Sequence, residues 1–245
     1  MILQGGKGKT GNAMIDAIGL DADDTLWENE TFFRMTEGEF AALLADHADG
    51  ADIAGRLLDV ERANLVRYGF GIKGFMLPMV QTAIELTDGR IDGRAIGRIL
   101  ELGQDMLAHP VHLLPGVQQA LEALEGRRLI LITKGDLIDQ ERKIAASGLA
   151  ERFEAVEILA DKSPESYARV LFRANIAPER FLMAGNSMKS DVLPVVELGG
   201  HGVFIPHDLT WAIEHACAPD HPRAHRLDGI DGLPALVARL DSADA

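Results

Sequence analysis

The segment Ile15-Asp16-Ala17-Ile18-Gly19-Leu20-Asp21-Ala22-Asp23-Asp24-Thr25-Leu26-Trp27 decides how this chain folds. It begins with a short, mostly apolar run that stops at a cluster of acidic residues, and this pattern predicts a buried β-strand ending at a polar loop. Asp21 and Asp23 are two residues apart, and side chains at that spacing point the same way at the end of a strand. Two carboxylates this close need a compensating cation, and oxygen ligands favour a hard ion such as Mg²⁺.

The rest of the chain divides into two stretches of different periodicity. From about Asn29 to His109, apolar residues recur every three or four positions, which predicts amphipathic helices without a strand. Beyond residue 110, short apolar runs alternate with helical patterns. Strands are predicted at residues 129–132, 156–159, 181–184 and 202–205, and a helix is expected over residues 209–216. Such alternation is typical of a parallel sheet covered by helices.

These patterns predict an α/β fold: a Rossmann-like parallel sheet with helices on both faces, plus an all-helical cap inserted after the first strand. We expect a flexible N-terminal lead at residues 1–14, an α/β core domain formed by residues 15–28 and 110–245, and a helical cap domain at residues 29–109. Ligands of open parallel sheets bind beyond the carboxyl ends of the strands. The residues that follow each strand are therefore the candidate site residues.

Polar residues follow three further predicted strands. They are Thr133-Lys134-Gly135-Asp136, Asp161-Lys162-Ser163-Pro164 and Gly185-Asn186-Ser187-Met188-Lys189-Ser190-Asp191. We expect Lys162 to lower the pKa of one of the two aspartates and to bind an anionic oxygen of the substrate. The other aspartate, if partly desolvated, would keep a proton and act as a general acid. An ionised aspartate flanked by a metal ion and a lysine fits a nucleophile toward phosphorus.

The order and spacing of these residues resemble the four motifs of the haloacid dehalogenase (HAD) superfamily. Asp-x-Asp-x-Thr follows the first strand, Thr the second, Lys precedes a helix, and Gly-Asn-x₄-Asp follows a later strand. The resemblance covers about residues 15–205, and the helical insert resembles the C1-type cap of that superfamily. It implies Mg²⁺-dependent hydrolysis of a small phosphate monoester through an aspartyl-phosphate intermediate.

The resemblance also implies a role for each motif residue. Asp21 would be the catalytic nucleophile, and Asp23 the catalytic general acid and base, which also binds the metal through its backbone carbonyl. The implied substrate-binding residues are Thr133, Lys134 and Lys162. The implied Mg²⁺ ligands are Asp21, Asp23, Asn186 and Asp191. Asn186 stands where the superfamily has an aspartate, so one negative charge is lost and weaker Mg²⁺ binding is expected.

Other activities of the superfamily are separated by few residues. Asp23 and Thr25 favour phosphoryl transfer, because haloacid dehalogenases proper lack the second acid. Asp23 also argues against phosphonoacetaldehyde hydrolysis, in which a cap lysine such as Lys73 would form a Schiff base. A phosphomutase and a catalytically weakened binding or regulatory homologue stay open. The glycine-rich residues 68–74 form either a substrate-selecting loop or a simple turn between helices.

Composition limits the partners of the chain. Its 245 residues carry a formal net charge of −14, and an acidic surface repels nucleic acid and anionic membranes. We therefore expect a small phosphorylated metabolite as partner, with no nucleic acid and no membrane; the oligomeric state stays open. The single cysteine, Cys217, excludes an intrachain disulfide and fits a cytoplasmic location. No secretory signal is expected in the Gly- and Lys-rich first residues.

Overall fold

Within the described residues, six parallel strands form a single sheet in the order β3-β2-β1-β4-β5-β6. The computed structural model describes residues 14–45, 47–48, 50–209, 211, 213–214 and 216–242, so the predicted N-terminal lead lies outside the described residues except for Met14. The strands are β1 Ala17–Leu20, β2 Arg128–Lys134, β3 Ala155–Leu159, β4 Phe181–Gly185, β5 His201–Phe204 and β6 Ala224–Arg226. The predicted parallel sheet is confirmed, and β6 is an additional strand.

Helices cover both faces of this sheet, as the alternating pattern predicts. They are α5 Val117–Ala123, α6 Leu137–Ser147, α7 Pro164–Ala174, α8 Leu193–Glu197 and α9 Leu233–Ser242. In β1, Ile18 and Leu20 pack into one apolar cluster together with residues of α5 and α9, whereas Ala17 packs into a second cluster with Tyr167 of α7. The expectation of a helix over residues 209–216 is wrong, because the described residues there form bends, turns and irregular structure.

Among the described residues, four helices lie between β1 and α5, and they form an all-helical insert as predicted. They are α1 Glu30–Leu44, α2 Ile53–Tyr68, α3 Ile72–Leu86 and α4 Gly93–Ala108. Their apolar faces pack around a core of their own, in which Phe40, Met79 and Ile99 are fully buried. The domain boundaries at residues 28/29 and 109/110 stay a prediction. Within the described residues, no helix is both long and apolar enough to span a bilayer.

The segment that follows β4 packs unusually closely on the neighbouring strand. Residues Met188–Val192 form a single π-helical turn, a rare element that is frequent at functional sites. The turn lies against β5 at Gly202, where an added Cβ atom would be 2.9 Å from both the Cα atom and the carbonyl oxygen of Val192. Gly202 therefore allows the approach that places Asp191.

We expect Gly202→Ala to destabilise the protein by about 1–3 kcal/mol, because the contacting atoms belong to backbone that is already packed. The matched control is Gly97→Ala in α4, where an added Cβ meets nothing within 4 Å. That control is expected to be neutral or to stabilise by up to about 1 kcal/mol, since Ala is a better helix former. Urea denaturation of both variants measures the difference, and equal stability of the two would contradict the packing argument.

Candidate active site

The carboxyl ends of the strands meet at a cavity of about 150 Å³ between the sheet and the helical insert. The structure brings all seven predicted site residues to its wall. They are Asp21, Asp23, Thr133, Lys134, Lys162, Asn186 and Asp191. Side chains from four separate segments therefore share one small-molecule-sized space, which is the usual location of a ligand site in an open parallel sheet.

Lys162 joins two of these segments through ion pairs. Its ammonium lies 2.5 Å from Oδ1 of Asp21 and 2.6 Å from Oδ1 of Asp191, and its side chain is 1% exposed. Asp191 is also 1% exposed, and its Oδ2 accepts the Ser187 backbone N–H at 2.9 Å. These short charge-assisted contacts fix the relative positions of the two carboxylates.

Asp21 is held at its other oxygen by a link to the segment after β4. Its Oδ2 accepts the Thr25 hydroxyl at 2.9 Å, and the Thr25 oxygen in turn accepts the Asn186 backbone N–H at 3.0 Å. Burial raises the pKa of Asp21 to about 7; Lys162 opposes this rise and Asp191 adds to it. One ammonium thus leaves the two buried carboxylates with an excess of negative charge.

Asp23 has the opposite electrostatic environment. Burial acts to raise its pKa, but the Lys143 ammonium, 2.7 Å from each carboxylate oxygen, and the hydrogen bonds donated by Gln140 and Trp27 lower the pKa overall. The implied roles, a nucleophile at Asp21 and a general acid at Asp23, would give Asp23 the higher pKa. The structure shows the reverse order, because Asp23 has the lower pKa and Asp21 holds its proton to higher pH.

Lys143 and Gln140 are site residues that the motifs do not contain. Both lie on α6 and are buried, and Lys143 also contacts Asn29 Oδ1 at 3.1 Å. Positions 136, 139, 140 and 143 are polar and lie at the spacing of one helix face. This polar face, on the helix that follows a motif strand, is the sequence signal from which Lys143 and Gln140 could have been predicted as site residues.

Lys134 is fixed by an acidic residue outside the motifs, Glu214. Its ammonium lies 2.5 Å from Glu214 Oε1 and 2.8 Å from the Ser190 hydroxyl. Glu214 Oε2 accepts the hydroxyls of Ser187 and Ser190. Burial acts to raise the pKa of Glu214, but Lys134 and these hydroxyls lower it to about 2. Lys134 thus lines the cavity with its charge already matched.

The glycine-rich loop of the insert lies on the core rather than in solvent. Gly69, Phe70 and Gly71 line the cavity, and the Phe70 ring is 4.0 Å from the Lys134 ammonium. Gly71 has a φ of 98°, and an added Cβ there would be 3.1 Å from the Asp136 backbone nitrogen. Lys73 pairs with the Asp136 carboxylate at 2.8 Å. The loop therefore both connects α2 to α3 and forms part of the cavity wall.

The wall formed by the insert is acidic. Burial raises the pKa of Glu30 to about 7, against an opposing effect of Arg34. Burial and then the nearby Glu37 raise the pKa of Glu61 to about 7 as well, although Trp211 donates a hydrogen bond to it. These carboxyl groups line the cavity from α1 and α2, whereas the lysines that line it belong to the core.

The oxygen-rich rim fits a Mg²⁺ ion. Asp21, Asp191 and Asn186 offer side-chain oxygens, and Asp23 offers a main-chain carbonyl. Gly185 leaves room for this arrangement, because an added Cβ would lie 2.3 Å from Asp191 Oδ2. Among the described residues, no three or more His, Cys, Asp or Glu side chains form a metal cluster. Amide and main-chain oxygens would therefore have to complete the set.

Comparison with known proteins agrees with this geometry. The family model described as haloacid dehalogenase-like hydrolase matches residues 15–199. The chain belongs to this family. This HAD-like hydrolase is similar to a HAD-like family hydrolase from Xanthomonas campestris, of which the crystal structure is known. The two sequences are 42% identical, the TM-score of the two structures is 0.85, and the match covers 96% of this chain and 95% of that one.

More distant structures share the fold of this HAD-like hydrolase. A 2-haloacid dehalogenase from Pseudomonas syringae is 23% identical with a TM-score of 0.63, covering 92% of this chain and 99% of its own. A HAD-hydrolase from Bacillus subtilis described as bound to magnesium is 14% identical with a TM-score of 0.63, covering 91% and 99%. A search of curated proteins finds no match.

We expect Glu61→Gln to change how stability depends on pH. Because the pKa of Glu61 is about 7 instead of the usual 4.5, the folded state holds this proton more tightly than the unfolded state. The free energy of unfolding of the wild type should therefore fall as pH rises between about 4.5 and 7 and stay level above. Between pH 5 and pH 8, the free energy of unfolding of Glu61→Gln should therefore fall by about 1–3 kcal/mol less than that of the wild type.

Chemical denaturation at the two pH values measures this difference. The matched control is Glu101→Gln on α4, which removes a carboxylate that is exposed and lies outside the cavity. Its pH dependence should follow that of the wild type. A Glu61→Gln variant with the same pH dependence as the control would show that Glu61 titrates normally.

Proposed function

We propose that this HAD-like hydrolase is a Mg²⁺-dependent phosphatase that hydrolyses a small phosphate monoester through an aspartyl-phosphate on Asp21. The observation that carries the proposal is the buried Asp21–Lys162–Asp191 ion-pair chain at the cavity, with Asp23 two residues from Asp21. It combines a fixed carboxylate nucleophile, an ammonium for an anionic oxygen and a second carboxylate for proton transfer.

In the first step, Lys162 and Thr133 bind the phosphate of the substrate and Asp21 attacks phosphorus. A bond forms between an Asp21 carboxylate oxygen and phosphorus, while the bond from phosphorus to the leaving oxygen breaks. Asp23 donates a proton to that oxygen, which leaves as an alcohol. This step needs a carboxylate at Asp21 and a carboxylic acid at Asp23, which is the reverse of the protonation states that burial and Lys143 favour by themselves. A bound Mg²⁺ ion would lower the pKa of Asp21, and the negative charge of the phosphate would raise the pKa of Asp23.

In the second step, water releases the phosphate. Asp23, now a carboxylate, accepts a proton from the water, whose oxygen attacks phosphorus as the bond to Asp21 breaks. Asp21 is regenerated and inorganic phosphate leaves. A Mg²⁺ ion held by Asp21, Asp191, Asn186 and the Asp23 carbonyl would supply positive charge against repulsion between phosphate and carboxylates. Lys143 holds Asp23 at the cavity throughout.

The charges at the cavity support a phosphatase over a haloacid dehalogenase. Asp23 lies at the cavity as a second carboxyl group beside Asp21. Such a group is suited to protonating the oxygen of a phosphate ester as it leaves, whereas a halide leaves a haloacid without needing a proton. A phosphomutase would use the same residues and would reveal itself by requiring a sugar bisphosphate for turnover. The single cysteine fits a cytoplasmic location, which stays a prediction.

We expect Asp21→Asn to abolish hydrolysis of p-nitrophenyl phosphate, with a loss of at least about 1,000-fold, because the amide is not a nucleophile. EDTA should abolish wild-type turnover, and added Mg²⁺ should restore it. The matched control, Asp105→Asn on an exposed face of α4, should keep wild-type rates. Circular dichroism checks that each variant folds. Turnover retained by Asp21→Asn would remove the nucleophile assignment, and a folded wild type without turnover would favour a binding or regulatory homologue.

We expect Asn186→Asp to lower the Mg²⁺ concentration needed for half-maximal activity by about 3- to 10-fold, because it adds a negative charge at the proposed metal site. A Mg²⁺ titration of activity, together with a thermal shift measured against Mg²⁺, tests this expectation. The control Asn175→Asp makes the same change at the C-terminus of α7, outside the cavity. An unchanged Mg²⁺ dependence of Asn186→Asp would place Asn186 outside the metal's ligands.

A further inference from the structure

The lysines that line the cavity are confined to one of its two walls. Lys134, Lys143 and Lys162 all belong to the α/β core, and they are the lysines that line the described cavity. The wall formed by α1 and α2 contributes Glu30, Glu37 and Glu61 and no lysine or arginine within the described residues. The core wall also carries carboxyl groups, so its lysines lie among acids, whereas the wall of the insert has carboxyl groups without a lysine or arginine. A phosphate bound at Lys162 would therefore direct its leaving group toward carboxyl groups that no cation of the cavity accompanies.

The carboxylates of the insert are only partly neutralised. Arg34 lies 3.1 Å from an oxygen of Glu30 and from an oxygen of Glu37, but its side chain is 43% exposed and does not line the cavity. Glu61 is buried, and within the described residues no lysine or arginine nitrogen lies within 4.0 Å of its carboxylate. Arg34 thus pairs with two of the three acids from outside the cavity and leaves Glu61 without an ion-pair partner among the described residues, and a buried charge without such a partner is unfavourable.

Aromatic rings line the same wall. Phe33 and Phe75 pack with their ring centroids 5.1 Å apart, and both rings line the cavity. Trp211 lines it as well and donates a hydrogen bond to Glu61. Aromatic faces next to carboxylates bind organic cations through both charge and the ring quadrupole.

We propose that the substrate is a phosphate monoester whose leaving group carries an ammonium, an aminoalkyl phosphate, with the ammonium bound by Glu61, Glu37 and the rings of Phe33 and Trp211. This inference rests on the proposed phosphatase function and names its substrate class. The same wall repels leaving groups that carry a carboxylate, so specificity has both an attractive and a repulsive component.

The test compares three matched series of phosphate monoesters with chains of two to four methylenes that end in an amine, a hydroxyl or a carboxylate. For the best chain length, we expect kcat/KM of the amine to exceed that of the hydroxyl by at least about 10-fold, and the carboxylate to be the poorest. Glu61→Gln should reduce the amine-to-hydroxyl ratio by about 5- to 10-fold, mainly through KM. Glu37→Gln should reduce the ratio in the same direction.

The exposed control Glu101→Gln makes the same charge change on the insert and should keep the wild-type ratio. An amine-to-hydroxyl ratio of one or less at every chain length would overturn the inference. So would an unchanged ratio in folded Glu61→Gln and Glu37→Gln variants. In either case, Mg²⁺-dependent turnover of p-nitrophenyl phosphate would leave the proposed function standing. Absence of turnover with every ester would instead overturn both.

Discussion

The placement of one buried ammonium, that of Lys162, determines the geometry of this site. A charge with 1% side-chain exposure is tolerated only beside opposite charges, and removal of one partner from such a pair is strongly destabilising. Its two partners, Asp21 and Asp191, follow β1 and β4, which are adjacent in the sheet, while Lys162 follows β3. The strand order is therefore the means by which three distant segments are brought within ion-pair distance.

A second set of contacts separates the two aspartates of the first motif. Asp21 shares one ammonium with Asp191, and its pKa rises, mainly through burial. Asp23 has the Lys143 ammonium and two further donors, and its pKa falls despite burial. Two carboxyl groups whose pKa values are driven apart are suited to different tasks. The helix that follows β2 thus lowers the pKa of Asp23 although it carries none of the motif residues.

The sequence predicts those features that depend on local pattern. Alternating apolar runs locate the strands, and the polar residues after them converge because parallel strands end at one edge. The contacts of Lys143 with Asp23 and of Glu214 with Lys134 cannot be predicted from local pattern, because they arise only when α6 and the chain after β5 pack on the sheet. The prediction of a helix over residues 209–216 fails because tertiary contacts also act there. Trp211 and Glu214 contact Glu61 and Lys134 from irregular backbone.

The division of labour between core and insert follows from the same topology. In the proposed function, the strand ends supply the nucleophile, the ammonium groups and the metal-binding oxygens that act on the phosphate. The insert enters the chain directly after the first motif, and the Asp24 carboxylate accepts the Glu30 N–H at 3.0 Å, so α1 begins at the cavity. The carboxyl groups of the insert, Glu30, Glu37 and Glu61, line the cavity from α1 and α2 rather than from the strand ends. Under the proposed function, a change in the charge of this wall would therefore alter which ester is accepted, while the groups at the strand ends stay in place.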